Sequence, residues 1–152
     1  MSLPPPTDKH AVAAPERHRR TRRDHASETA EDYVEAIREV IETRGACRVS
    51  DLAERFSVSH VTVTRTVGRL VRDGLAETAP RAPITLTPVG ARLASACRER
   101  HLAVLAFLRA LGVSEPAAQL DAEGIEHHVS EETLAAMRRF VQQQTSRTTA
   151  DR

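Results

Sequence analysis

The chain has 152 residues, enough for one ordinary core or for a small DNA-binding module with a helical partner layer. One Tyr, three Phe and no Trp argue against a carbohydrate site or a single-strand stacking platform, both of which use exposed rings. The net charge of +1 hides an uneven distribution, with eight Arg against four acids from Arg44 to Arg92 and five acids against one Arg from Thr29 to Thr43.

The middle of the chain is therefore suited to face an anion, and the segment before it a cation. Two cysteines, Cys47 and Cys97, stand without a C-x-x-C spacing, which fits a reducing compartment. No apolar run reaches the roughly 18 residues of a membrane span, and the N-terminus lacks the apolar core of a secretory signal. A cytoplasmic protein is expected.

Residues 1–26, rich in Pro and Arg with no apolar period, are expected to form a disordered tail. Its basic run from Arg17 to Arg23 reads equally as a solubilising tail or as an arm on DNA phosphate. A first helix is expected from a cap at Ser27 or Thr29 to about Arg44, with Tyr33, Ile37, Val40 and Ile41 inward and Gly45 ending it. A short second helix capped by Ser50 buries Leu52, Ala53 and Phe56. The chain turns at Ser57–Ser59, and a third helix from about His60 to Arg72 turns Val63, Val67, Leu70 and Val71 inward. Two β-prone runs around a Pro-containing turn, Leu75 to Thr87, predict a hairpin.

Thr87 followed by Pro88 opens a long helix through Leu93, Ala94, Cys97, His101, Val104, Leu105 and Leu108 to Gly112. A fifth helix runs from Ser114 to about Val129. A sixth starts at Ser130 and frays beyond Gln144. This order predicts a mainly α fold, an N-terminal winged helix-turn-helix over 27–87 followed by an all-α dimerisation domain over 88–144, with a frayed end over 145–152.

In a helix-turn-helix the second helix of the pair presents its N-terminal residues to the major groove. Those residues are Ser59, His60, Val61, Thr62, Thr64 and Arg65: hydroxyls, an imidazole and an Arg for base edges or phosphate, and a Val for a thymine methyl. Arg69 and Arg72 lie further along and suit phosphate, and Arg81 at the hairpin tip is the natural wing contact. Double-stranded DNA is the expected partner.

A second constellation is acidic. Asp32 and Glu35 share a face of the first helix at i, i+3 spacing. Glu123, Glu126 and His127 share one of the fifth, and His101 lies on the helix between. Clustered carboxylates repel and are costly to bury, so a metal explains them if the three helices converge. Carboxylates with one or two imidazoles and no thiolate favour a hard octahedral ion, with Mn(II) fitting best and Fe(II) next.

At these residues the sequence resembles a known family. Glu31-Asp32-Tyr33-Val34-Glu35, the winged helix beginning Val49-Ser50-Asp51-Leu52-Ala53, Arg100-His101, and Glu123-Gly124-Ile125-Glu126-His127-His128 look like the manganese-sensing branch of the diphtheria toxin repressor family. The similarity covers roughly residues 28–140. It implies a metal site of Asp32, Glu35, His101, Glu123, Glu126 and His127. Glu35, Glu123 and Glu126 would be ligands able to bridge two ions about 4 Å apart. Iron-sensing relatives carry a sulfur-containing residue where this chain has Glu126, and an SH3-like third domain before which this chain stops, as the manganese branch does. His128 is expected to be structural, Cys97 a core residue close to the site, and Cys47 to have no function.

The resemblance implies a homodimeric repressor of manganese-uptake genes that binds a near-palindromic operator when Mn(II) is bound. An iron(II)-responsive regulator of the same fold is the alternative. From another class, a ferritin-like di-metal enzyme would need Glu-x-x-His on two helices, which this chain lacks. A winged-helix sensor of an organic ligand would need an apolar cleft and no metal dependence. No other constellation suggests catalysis, and an enzyme is not expected.

Overall fold

The computed structural model describes residues 14–150, and the side chains of residues 24–146. In chain order it contains α1 (Ala14–Arg44), α2 (Val49–Phe56), α3 (His60–Arg72), strands β1 (Ala76–Glu77) and β2 (Thr85–Leu86), α4 (Pro88–Ala110), α5 (Glu115–Ile125) and α6 (Glu131–Ala150). The fold is mainly α, with one small antiparallel hairpin pairing Ala76 with Leu86 and Glu77 with Thr85.

Two apolar clusters organise the chain. The first gathers Tyr33, Val34, Ile37 and Val40 of α1, Leu52 of α2, Val63, Val67 and Leu70 of α3, Ile84 beside the wing, and Ala94 of α4. The second joins Val104, Leu105 and Leu108 of α4 to Ala118 and Ala122 of α5 and Leu134 of α6. Helix α4 thus serves both, its first half closing the winged helix and its second half founding the helical layer. Stacked rings of Tyr33 and Phe56, with centroids 4.4 Å apart, fix α2 on α1. Phe107 meets Phe140 edge-on and ties α4 to α6.

The junction between wing and α4 is closely built. Thr87 accepts from the Gly90 backbone N–H at 3.0 Å and donates its hydroxyl to the Gly74 carbonyl at 2.6 Å, so one side chain both caps α4 and holds the end of the α3 turn. Gly90 is required there, because a Cβ at that position would stand 1.9 Å from the Leu75 carbonyl oxygen. Gly45, at φ +80°, takes the left-handed conformation that ends α1.

Several expectations need correction. The expected disordered tail falls partly outside the described residues, over 1–13, but residues 14–26 are helical and continuous with the packed part of α1. Extending a packed helix costs far less than nucleating one, and the Ala, Glu and Arg residues there are good helix formers. Thr29 is therefore no cap: its hydroxyl donates to the His25 carbonyl, four residues back inside the helix, at 2.8 Å.

Helix α2 begins at Val49, earlier than a Ser50 cap would allow: Arg48 is its cap position, and the Asp51 carboxylate reaches back to accept from the Arg48 N–H at 2.8 Å. On α3 the inward stripe is Val63, Thr66, Val67 and Leu70, and Val71 is exposed, because the i, i+3, i+4, i+7 spacing selects Thr66 instead. Helix α5 stops at Ile125 and leaves Glu126–His128 in a turn, whereas α6 continues to Ala150 past the expected fraying point.

Candidate metal centre and DNA-reading face

The site begins on the face of α1 that borders the first core. Tyr33, Val34, Ala36 and Ile37 are buried, and this sets Asp32 and Glu35 at the core's edge, where both line a cleft of about 490 Å³ between α1, the end of α2, α4 and α5. From the opposite wall α4 contributes His101, held between the buried Cys97 and Val104, and the end of α5 contributes Glu123 and Glu126. Each of His101, Glu123 and Glu126 offers a ligand atom, and those atoms lie within 4.8 Å of one another. His101 Nδ1 is 2.6 Å from Glu126 Oε2 and 3.8 Å from Glu123 Oε1.

His127 is placed differently. It is nearly buried and turned toward α1, with Nδ1 2.9 Å from Glu31 Oε2 and Nε2 3.2 Å from Asp32 Oδ1. Its Nε2 also stands 3.6 Å from Glu126 Oε1, so it joins the edge of the same acidic group. The turn after α5 is what permits this. Glu126 is still αR and donates its N–H to Ala122, while the His128 N–H bonds back to Ile125, tightening the last turn.

The electrostatics are those of anions held close together. Burial is the main cause pushing the Glu126 carboxyl above its ordinary value, with Glu35 adding and His101 opposing. Burial likewise raises Glu35, with Glu123 and Asp32 adding to it. His127 is pushed up to about 10, chiefly by its hydrogen bonds to Asp32 and Glu31. Four carboxylates around two imidazoles carry an excess of negative charge that a divalent cation would neutralise, and the donors are all oxygen or nitrogen. The residues fit a hard divalent ion. Cys97 is fully buried beside this group, burial pushes its thiol up to about 12, and its sulfur accepts from Arg100 Nη2 at 3.4 Å.

Glu31 and Arg100, which stand in the sequence only as motif neighbours of Asp32 and His101, are both engaged here. Arg100 Nη2 donates to Glu31 Oε2 at 2.6 Å, on the same oxygen that His127 reaches. No local pattern could have revealed a pairing across such sequence distances. The adjacency of Glu31 to Asp32 and of Arg100 to His101 was the available hint.

The second surface is the exposed face of α3. Ser59, His60, Val61, Thr62, Thr64, Arg65 and Arg69 are all exposed, as is Arg81 at the wing tip, where its φ of +65° gives the hairpin its turn. Val61, 69% exposed, is an apolar side chain with no core to enter. Ser59 caps α3 by accepting from the Thr62 N–H at 3.2 Å, and the two hydroxyls lie 2.9 Å apart. Thr64 donates back to the His60 carbonyl, and Arg69 donates to Thr66 at 3.2 Å.

A winged helix joined through one long helix to a metal-binding helical layer defines a metal-dependent, DNA-binding transcriptional regulator. Residues 25–83 match the iron-dependent repressor N-terminal DNA-binding domain, and residues 87–149 match the iron-dependent repressor metal-binding and dimerisation domain. The chain belongs to the iron-dependent repressor family, the diphtheria toxin repressor family of the resemblance above.

Transcriptional regulator MntR of Escherichia coli O157:H7 is 48% identical over 124 residues, spanning 82% of this chain and 80% of that protein. HTH-type transcriptional regulator MntR of Lysinibacillus sphaericus is 39% identical over 112 residues, spanning 74% and 81%. Among solved structures, the manganese regulator SloR superposes with a TM-score of 0.65 at 28% identity, over 74% of this chain and 53% of its own. A manganese-dependent transcriptional repressor in complex with manganese gives 0.66 at 31% identity, over 74% and 52%. The matched region thus spans about half the length of those solved relatives. The family regulates transcription rather than catalysing a reaction.

Proposed function

We propose that this chain is a manganese(II)-responsive repressor that binds a near-palindromic operator as a homodimer in the cytoplasm and represses manganese-uptake genes. The observation that carries the reading is the group of His101, Glu123 and Glu126 with ligand atoms within 4.8 Å, facing Asp32 and Glu35 across one cleft. Asp32, Glu35, His101, Glu123, Glu126 and His127 would hold the ion. An all-oxygen-and-nitrogen set with a carboxylate at Glu126 supports manganese, and the manganese named in related regulators and repressors supports it further.

When bound, the ion supplies positive charge where four carboxylates meet. This chain's residues do the rest. Asp32 and Glu35 belong to α1, the scaffold of the winged helix, whereas His101, Glu123, Glu126 and His127 belong to α4 and the end of α5. Closing that group fixes the DNA-reading unit on the helical layer. In a dimer it favours the arrangement in which two α3 helices enter major grooves about 34 Å apart. A sharp switch, from 1:99 to 99:1, needs about 5.5 kcal/mol of preference for that arrangement. Ser59, His60, Val61, Thr62, Thr64 and Arg65 would face the bases, with Arg69 and Arg81 on phosphate.

The test is operator binding titrated with Mn(II), Fe(II) and Zn(II) in a chelator-buffered solution, on the wild type and Glu126→Ala. Mn(II) should raise wild-type affinity strongly, and Glu126→Ala should remove that response. Equal operator affinity with and without Mn(II) would overturn the reading, and a response to Fe(II) alone would transfer it to iron.

A further inference from the structure

We propose that Glu31 and Arg100, neither of them a metal ligand, form a buttress that fixes the orientation of His127 and thereby sets metal affinity. The proposal rests on the metal-site reading above and deepens it. Glu31 Oε2 receives two donors, Arg100 Nη2 at 2.6 Å and His127 Nδ1 at 2.9 Å. All three side chains are largely withdrawn from solvent, at 13% exposed for Glu31, 20% for Arg100 and 4% for His127. A carboxylate only accepts, so the proton of this bond resides on Nδ1. The nitrogen left to face the acidic group is then Nε2, 3.2 Å from Asp32 and 3.6 Å from Glu126.

The chemistry is that of a histidine whose second nitrogen is held by a carboxylate, which fixes the ring and leaves Nε2 aimed at the acidic group. Arg100 supplies what Glu31 needs to serve in this way. A largely buried carboxylate without a cation would be costly, and the guanidinium provides that cation from α4. Arg100 Nε finds no partner among the described residues, and the guanidinium is placed through Nη2, by its bond to Glu31 at 2.6 Å and a longer one to the Cys97 sulfur at 3.4 Å.

The arrangement has a register. Glu31 precedes Asp32 on α1, Arg100 precedes His101 on α4, and His127 itself follows α5. The three elements that meet at the metal group meet again at the buttress, so the chain neighbours of Asp32 and His101 help to hold His127. Arg100 acts through Glu31, and Glu31 through His127. Both are positioning residues.

The experiment measures, on the full-length chain, Mn(II) affinity by electron paramagnetic resonance of the free ion, operator affinity at saturating Mn(II), and Tm of the metal-free protein. The variants are Glu31→Ala, Glu31→Gln, Arg100→Ala, and Glu31→Ala with Arg100→Ala. Removing such an outer carboxylate lowers metal affinity about 10- to 100-fold, and operator binding should recover at saturating ion. Glu31→Gln, which keeps an acceptor oxygen at the same reach, should lose less. The double variant should lose no more Mn(II) affinity than Glu31→Ala alone, because Arg100 has nothing left to act through.

A purely structural pair would lower Tm and leave the Mn(II) affinity of the folded protein unchanged, and that result would overturn the proposal. So would losses that add in the double variant. If Glu31→Ala does not fold, Glu31→Gln and Arg100→Ala decide the matter by the same affinity measurement. A wild type that binds Mn(II) without any change in operator affinity would sink the repressor reading, while the affinity comparison would still decide this one.

Discussion

His127 Nε2 lies 3.2 Å from Asp32 Oδ1, so a residue in the turn after α5 is tied directly to the helix that carries the DNA-reading domain. Replacing Asp32 removes both the hydrogen bond and one acidic donor of the cleft. Asp32→Ala should weaken Mn(II) binding at least about tenfold, in the range seen when groups around a metal are removed. It should also uncouple metal from DNA, so that the Mn(II)-induced gain in operator affinity shrinks. Calorimetric Mn(II) titration beside an operator gel shift reads both. An unaltered gain would remove Asp32 from the coupling.

The acid and base shifts at the site give the metal-free protein a signed pH dependence. Glu126 is raised in the folded state, from 4.5 to about 7, and His127 from 6.5 to about 10. In both cases the folded chain holds its proton more tightly than the unfolded chain. Each contribution is fully present below the unfolded value and is lost as pH rises through the folded one. Metal-free stability should therefore decline from about pH 4.5 to 7 through Glu126, and from about 6.5 to 10 through His127. Glu126→Gln should flatten the lower part of a Tm-against-pH curve and leave the upper part.

Metal binding should follow the opposite sign, because the ion must displace those protons. Apparent Mn(II) affinity should rise with pH between 6 and 8 by up to about tenfold per unit for each proton released. Proton release into a weak buffer, measured by calorimetry in two buffers of different ionisation heat, counts them. A flat affinity would mean that Glu126 and His127 keep their protons in the complex.

Much of this architecture could be read from the sequence, and for a physical reason. Helix periodicity exposed Val63, Val67 and Leu70 as core, and Thr87 with Pro88 marked the start of α4, because these signals act within one or two turns. Failures came where packing decides. Thr66 takes the place of Val71 on the inward stripe, since the face follows the i, i+3, i+4, i+7 spacing from Val63 rather than hydrophobicity alone. The basic stretch before Ser27 carries no apolar period, so its helical backbone showed only as propensity. The acidic face of α1 and the string from Glu123 to His128 were visible as ligand types, but convergence on His101 required the fold. The engagement of Glu31 with Arg100 and His127 was invisible for the same reason.

On the DNA-reading face, Arg65→Ala and Arg69→Ala should separate. Arg65, exposed in the N-terminal half of α3, is placed for a base or a nearby phosphate; a bidentate base contact is worth about 1–3 kcal/mol of discrimination. Arg69, a turn further on, should act on phosphate and lower the slope of log affinity against log salt by about 0.9. Neither should move Tm much, because both are exposed. Operator binding measured across a salt series, on cognate and scrambled DNA, distinguishes the two. Loss of specificity with Arg69→Ala, and none with Arg65→Ala, would reverse the assignment.

Gly90 gives the most stringent test of the fold itself. The first turn of α4 presses against the Leu75 carbonyl so closely that an added Cβ would stand 1.9 Å away. The obstacle is backbone, which cannot swing aside as a long side chain would. Gly90→Ala must therefore shift the wing relative to α4, breaking either the Thr87–Gly90 cap or the hydroxyl bond to Gly74. Overpacking of this kind costs about 1–3 kcal/mol, with a cap bond worth about 1 kcal/mol more. Tm should fall by several degrees, and operator affinity should drop further than Mn(II) affinity, since Gly90 adjoins the wing and lies outside the residues lining the acidic cleft. An unchanged Tm would mean that wing and helix are not in the contact described.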